Sequence, residues 1–334
     1  MSYRIAACCQ LGELVTNRKG VQEFKQFSDC QMGTVQRAAM LKIMGITKDE
    51  LHLLTPELVE QYKSKLQAKL IPTIKKNLQA LSAQIKRVSS LPDNQKMFRI
   101  SSDLLPLYTH IELGALYDET VMSMIRSSLS HTGELIRKHN IRVSSHPSQF
   151  TTLSSDNPDV IVNSIRDLEH HVMIFESMGL NPDDHGVVIN IHANGKSFDL
   201  PESAQHLFNW ISLEPDEKQA GFNKVLGLCE TYGVRMVLDL HHHWCENGEY
   251  LSFNSDNTIR ALKTWPSSQR PLLHISQPRG LSSKKEMCAH SDMIDNLKLI
   301  EYLRPWLSVF DCDVEVKFKN VSVNYLCGKL NEIS

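Results

Sequence analysis

Short apolar runs recur along the chain, each ending on polar or ionisable residues: Tyr3 to Cys9, Met97 to Ser102, Ile141 to His146, Val187 to His192, Ile211 to Glu214, Val234 to Asp239, Pro271 to Ser276 and Asp313 to Lys317. Runs of this length and character predict strands buried on both faces, as in parallel sheets. Helical spacing fills several of the intervals. Ile161, Ile165, Leu168, Val172 and Phe175 follow at intervals of four, three, four and three, after Asn157-Pro158 and before Gly179, which predicts a capped amphipathic helix. Phe222, Val225, Leu226, Cys229 and Tyr232 form a shorter stripe closed by Gly233, just ahead of the run that ends in Asp239. Eight strands alternating with helices predict an α/β fold, a single TIM-type (β/α)8 barrel domain over residues 1–334.

The first interval departs from this rhythm. About ninety residues separate the first two runs, against ~30 for an ordinary βαβ unit. Thr55-Pro56 is a helix start, and Ile74, Leu78, Leu81, Ile85 and Val88 make a helical stripe. Extra helices are therefore expected between the first and second strands, over about residues 19–95. The link from His192 to Ile211 is short for a full helix. The chain contains no internal repeat, low-complexity tract or Pro/Gly/Ser-rich linker.

Composition adds exclusions. Hydrophobic residues at 41% and charged residues at 22% are ordinary for a globular chain, and a net charge of -2 advertises no nucleic-acid partner. An anionic substrate has to be met by local positive charge or by bound metal. Met1 to Gln10 lacks the apolar core of a secretory signal, and no stretch approaches the ~20 apolar residues of a membrane span. The eight cysteines show no Cys-x-x-Cys pair and no disulfide framework, which predicts a reduced, cytoplasmic protein.

A barrel of this kind gathers the C-terminal ends of all its strands at one mouth. His110, His146, His192, Glu214, Asp239, His242, His274, His290 and Glu315 all stand where predicted strands run out. A lone histidine at a strand end is ordinarily a polar rim group, but recurrence over six or seven strands favours a shared metal centre. Imidazole and carboxylate together suit Mn²⁺, Zn²⁺ or Fe²⁺ better than Ca²⁺. His241, His242 and His243 cannot all face one ion, and His242, three residues past Asp239, is the expected ligand. His243 is then a neighbour of the ligands or a substrate contact.

The run Asp313-Val-Glu-Val-Lys-Phe-Lys319 alternates charged and apolar positions, so one face carries Asp313, Glu315, Lys317 and Lys319. Inward charge is costly unless paired or metal-bound. Glu315 as ligand and Lys317 as phosphate contact explain the pattern; an internal Glu–Lys ion pair is the alternative. The remaining histidines, including His170 and His171 within the predicted helix, read as structural. A centre of this composition holds ions ~3.5–4 Å apart and suits phosphodiester hydrolysis with Glu214, Asp239, Glu315 and Lys317 as catalytic groups. Metal-dependent sugar isomerisation uses a comparable mouth, and residue types leave the two open.

Phe98-Arg-Ile-Ser-Ser-Asp-Leu-Leu-Pro-Leu-Tyr-Thr-His110, Ser145-His-Pro-Ser-Gln-Phe150, Asp239-Leu-His-His-His-Trp244, His274-Ile-Ser-Gln277, Ala289-His290 and Glu315-Val-Lys317, in this order, resemble the UV-damage endonuclease family over about residues 3–320. The resemblance implies a TIM barrel with two or three divalent ions, usually Mn²⁺, held by the nine residues above. It also implies nicking of duplex DNA immediately 5′ to pyrimidine dimers, 6-4 photoproducts and some abasic sites, leaving a 3′-hydroxyl and a 5′-phosphate. The family's damage-probing pair falls on Gln149 and Phe150. Wedging an amide and a ring beside a lesion is cheap because stacking there is already weak.

Three positions depart from the family: Leu272 replaces a lysine that can be carboxylated and bridge two ions, Phe150 replaces a tyrosine, and Ala7 replaces a first-strand tyrosine expected to touch DNA. The expected partner is damaged double-stranded DNA, met by a monomer with no membrane association and no organic cofactor. A damage-binding protein with impaired cleavage is the alternative.

Overall fold

In the computed structural model, which describes residues 3–216 and 221–332, nine parallel ladder segments run in the spatial order β8-β7-β6-β5-β4-β1-β11-β10-β9. They are β1 (Ile5–Cys8), β4 (Met97–Ile100), β5 (Arg142–Ser145), β6 (Val188–His192), β7 (Ile211–Glu214), β8 (Arg235–Met236), β9 (Leu238–Asp239), β10 (Leu272–Ile275) and β11 (Asp311–Val314). The two ends of this order, β8 and β9, are halves of one strand interrupted at Val237, whose N–H bonds Leu213 at 2.9 Å. The sheet thus closes on itself as an eight-stranded barrel, as the alternating pattern predicts.

Side chains alternate between the lumen and the surrounding helices. Ile5, Ala7, Phe98, Val143, Ile189, Leu213, Leu238, Leu273 and Cys312 belong to the large core shared with the helices. The opposite set, Ala6, Met97, Val188, Val237 and Leu272, forms a separate apolar cluster with Trp265, a layer of the lumen. Two residues further along each strand the lumen turns polar, with Arg99, Asn190, Asp239, His274 and Asp313. Asp311 forms the opposite end of the β11 stripe. It is fully buried and accepts from the Arg4 backbone N–H (2.8 Å), Arg142 Nη1 (2.8 Å) and Arg270 Nε (3.0 Å).

The predicted helices form. Pro158–Ser177 starts from the Asn157 cap and is followed by Gly179 at φ 66°; Phe222–Tyr232 ends at Gly233, also at φ 66°. Between β6 and β7 only a short 3₁₀ turn, Glu202–Leu207, is present. No described helix is long and apolar enough to cross a membrane.

Two expectations need correction. The insertion after β1 opens not with a helix but with an antiparallel hairpin, β2 (Gly12–Thr16) and β3 (Gln22–Gln26), followed by the helices Arg37–Met44 and Pro56–Ser89. Its turn is built by Asn17, whose Oδ1 accepts from Lys19 and Val21, with Gly20 at φ 77°. The strands are mostly exposed, so their alternation carries little hydrophobic signal. The last barrel strand ends at Val314, not Lys317, and Lys319 at φ 45° already opens the helix Lys319–Glu332. Lys317 and Lys319 are therefore not on the strand whose face they were expected to share.

Candidate metal centre at the barrel mouth

Glu214 closes β7 and is 1% exposed. His146 Nε2 lies 2.9 Å and His192 Nε2 3.0 Å from its Oε1, and His274 Nδ1 lies 2.7 Å from its Oε2. Strand register explains the convergence: His192 stands opposite Glu214, and His274 stands opposite Asp239 on one side and Asp313 on the other. Beneath Glu214, Asn190 Nδ2 donates to Oε2 at 2.7 Å while Ser212 Oγ donates to Asn190 Oδ1 at 2.7 Å. Neither Asn190 nor Ser212 was singled out from the sequence, although strand alternation alone points them into the lumen.

Three sets of ligand atoms each lie within 4.8 Å of one another: His146, Glu214 and His274; His192, Glu214 and His242; Asp239, His274 and Glu315. Glu214 and His274 are shared, so the sets form one contiguous centre. His242 is placed by its helix, Leu240–Asn247, whose first turn is capped by Asp239 Oδ1 accepting from the His242 N–H at 2.7 Å. Among the three neighbouring histidines this selects the expected one. His241 is buried against Trp244 and Cys245, and His243 packs edge-on against Phe222.

The electrostatics of the site set burial against neighbouring charge. Burial opposes ionisation of Glu214, yet His192, His274 and His146 hold its carboxyl well below the usual range. Burial likewise opposes ionisation of Glu315, but Arg99 and His274 keep it low. Arg99 Nη1 lies 2.5 Å from Glu315 Oε1. Although burial pushes His274 down, Glu214 and Glu315 raise it to about 9. Glu214, Asp239 and Glu315 together with His146, His192, His242 and His274 form a donor set that fits divalent cations.

The other expected residues sit further out. His290 is at the rim, its Nδ1 2.5 Å from the Glu315 carbonyl and 3.9 Å from Glu315 Oε2. His110 belongs to none of the three sets and pairs with Glu112 at 3.1 Å. Lys317 is exposed and paired with Asp292 at 2.6 Å. Ala7 is buried in the core shared with the helices, so its side chain does not line the mouth. Leu272 lies in the apolar lumen layer, two residues before His274.

A cavity of about 770 Å³ beside the centre is lined by Gln149, Phe150, His192, Asn194, Lys196 and His242, among others. Phe150 is 77% exposed. Its loop is nevertheless anchored. Asn194 Nδ2 donates to the Gln149 carbonyl at 2.8 Å, and Thr151 Oγ1 donates to Asp167 Oδ2 at 2.6 Å. Asp167, His170 and His171 form a fourth group of ligand atoms within 4.8 Å, on the helix behind this loop. Burial pushes His171 down to about 4, and His170 stacks on Tyr108.

Comparison with known proteins adds the chemistry. The model of a family described as UV-endonuclease UvdE matches residues 31–334. The UV DNA damage endonuclease of Bacillus mycoides (strain KBAB4) is 30% identical over 261 residues, covering 71% of this chain and 76% of its own length. That of Bacillus cereus (strain G9842) is 30% identical over 257 residues with the same coverage. The crystal structure of SacUVDE matches with a TM-score of 0.65 and 22% identity over 99% of both chains, which bears on the fold.

Proposed function

Since this chain belongs to the UV-endonuclease UvdE family and is an endonuclease of the UV-damage type, we propose that it nicks damaged duplex DNA immediately 5′ to ultraviolet photoproducts, leaving a 3′-hydroxyl and a 5′-phosphate. The substrates on this reading are pyrimidine dimers, 6-4 photoproducts and some abasic sites. The chain acts as a monomer, with two or three Mn²⁺ ions and no organic cofactor. One observation carries the reading: ligand side chains from separate strands converge on Glu214 and His274 beside a cavity edged by an exposed Phe150.

Bound divalent ions supply a Lewis acid that activates water and neutralises charge on the phosphodiester. His146, His192, Glu214, Asp239, His242, His274 and Glu315 hold them, with His290 adding a donor at the rim. His110 is the outlying ligand, and its joining the set requires the pair with Glu112 to open. Lys317 meets a phosphate oxygen on exchanging Asp292 for it. Gln149 and Phe150 wedge beside the lesion, where stacking is already weakened, and His243 contacts the strand next to the cavity.

Incubating the protein and Mn²⁺ with irradiated and intact plasmid tests this. Nicking confined to irradiated DNA, with extendable 3′ ends, is the expected result. Retention of irradiated DNA without nicking points instead to a damage-binding protein. Equal indifference to both plasmids points to a sugar isomerase or another barrel hydrolase.

A further inference from the structure

Below the mouth the lumen holds one ionisable group that the ligand set leaves unexplained. Asp313 on β11 is 0% exposed, and neither of its carboxylate oxygens has a hydrogen-bond partner. A carboxylate stripped of water and given no donor costs several kcal/mol. Such a group persists where its charge answers another.

Arg99 and, on the neighbouring strand, His274 supply that charge. Asp313 stands in register with His274, and its Oδ2 lies 3.7 Å from His274 Nε2. The opposite ring nitrogen, Nδ1, faces Glu214 at 2.7 Å, Glu315 at 3.5 Å and Asp239 at 3.9 Å. His274 is thus a fully buried bridge between the ligand cluster and Asp313. Neither ring nitrogen makes a well-formed hydrogen bond. The nearest lumen position on its own strand, Leu272, is apolar and offers no substitute partner.

We propose that Asp313 is a positioning residue that accepts the Nε2–H of His274 and so presents the Nδ1 lone pair to the divalent ion held with Glu214, Asp239 and Glu315. The proposal rests on the mouth being a metal centre. An imidazole ligand whose second nitrogen donates to a carboxylate is fixed in tautomer and orientation and becomes a stronger donor. At 3.7 Å the Asp313 contact is longer than a hydrogen bond. Metal binding favours closing it, because the ion takes the Nδ1 electron pair and leaves the remaining proton on Nε2. The buried negative charge is then offset by the cation above it.

This role is read out in metal affinity. Mn²⁺ binding, followed through the EPR signal of the free ion, and thermal unfolding of metal-free and Mn²⁺-loaded protein are compared for wild type, Asp313→Asn and Asp313→Leu. Both variants are expected to weaken Mn²⁺ binding by roughly ten- to a hundredfold, with the metal-free proteins still folded. Variants that bind Mn²⁺ as tightly as wild type overturn the inference and leave the metal centre intact; so does a metal-free Asp313→Asn protein that fails to fold, because that nearly isosteric change then removes a structural contact and not a positioning one. A wild-type protein that binds no divalent ion overturns both.

Discussion

Glu214 and His274 stabilise each other's charged forms across 2.7 Å in the metal-free protein. With His274 raised from its ordinary 6.5 to about 9, its contribution to stability is fully present below pH ~6.5 and is lost as pH rises toward 9. Glu214 and Glu315, held below their ordinary 4.5, contribute above that pH and lose their contribution as acid protonates them. Metal-free protein is therefore expected to be less resistant to urea at pH 9 than at pH 6, a difference that Mn²⁺ diminishes by displacing the His274 proton. Equal urea midpoints at the two pH values contradict this account. Glu315→Gln is expected to abolish nicking while sparing binding to damaged duplex. A variant that cuts at the normal rate removes Glu315 from the ligand set. Phe150→Ala is expected to reduce the preference for damaged DNA by about tenfold or more, since stacking a base on an aromatic ring contributes ~1–3 kcal/mol. An unchanged ratio in competition binding argues against the wedge.

The β11 strand shows how one period-two stripe does different work along its length. Asp311 gathers Arg4, Arg142 and Arg270 at one end, Asp313 faces His274, and Glu315 joins the ligands at the mouth. Removing one partner of a buried ionic network strands the others, so Asp311→Ala is expected to cost ~3–5 kcal/mol in urea denaturation. Nicking per folded molecule should persist, because this end of the barrel lies away from the mouth. The inward charges of Asp313 and Glu315 were legible in sequence from alternation, whereas Asp311 lies before the run that carried that pattern. The extent of the strand was not legible, because a strand ends where its ladder partners end, at Val314 beside Ile275. The hairpin after β1 escaped notice for a related reason: its strands bury little, so neither face carries a hydrophobic stripe.

The whole molecule carries a net charge of -2, yet its expected substrate is a polyanion. Binding is expected to rest on local groups such as Lys196 by the cavity and, on the proposed reading, on divalent cations bound at the mouth. Phosphate contacts release counterions, so affinity for damaged duplex is expected to fall steeply and linearly in log–log form as salt is raised. A flat response in fluorescence anisotropy between low and moderate salt weighs against DNA as partner. Read alone, the order of apolar runs and helical stripes determined the barrel, because burial periodicity is a local property. Only the tertiary structure decided which residues meet. It set His110 against Glu112 and Lys317 against Asp292, placed Leu272 in the apolar lumen layer and Ala7 in the core shared with the helices, and brought Asp313 to His274. Those pairings depend on the register and closure of strands far apart in the chain, which no local pattern encodes.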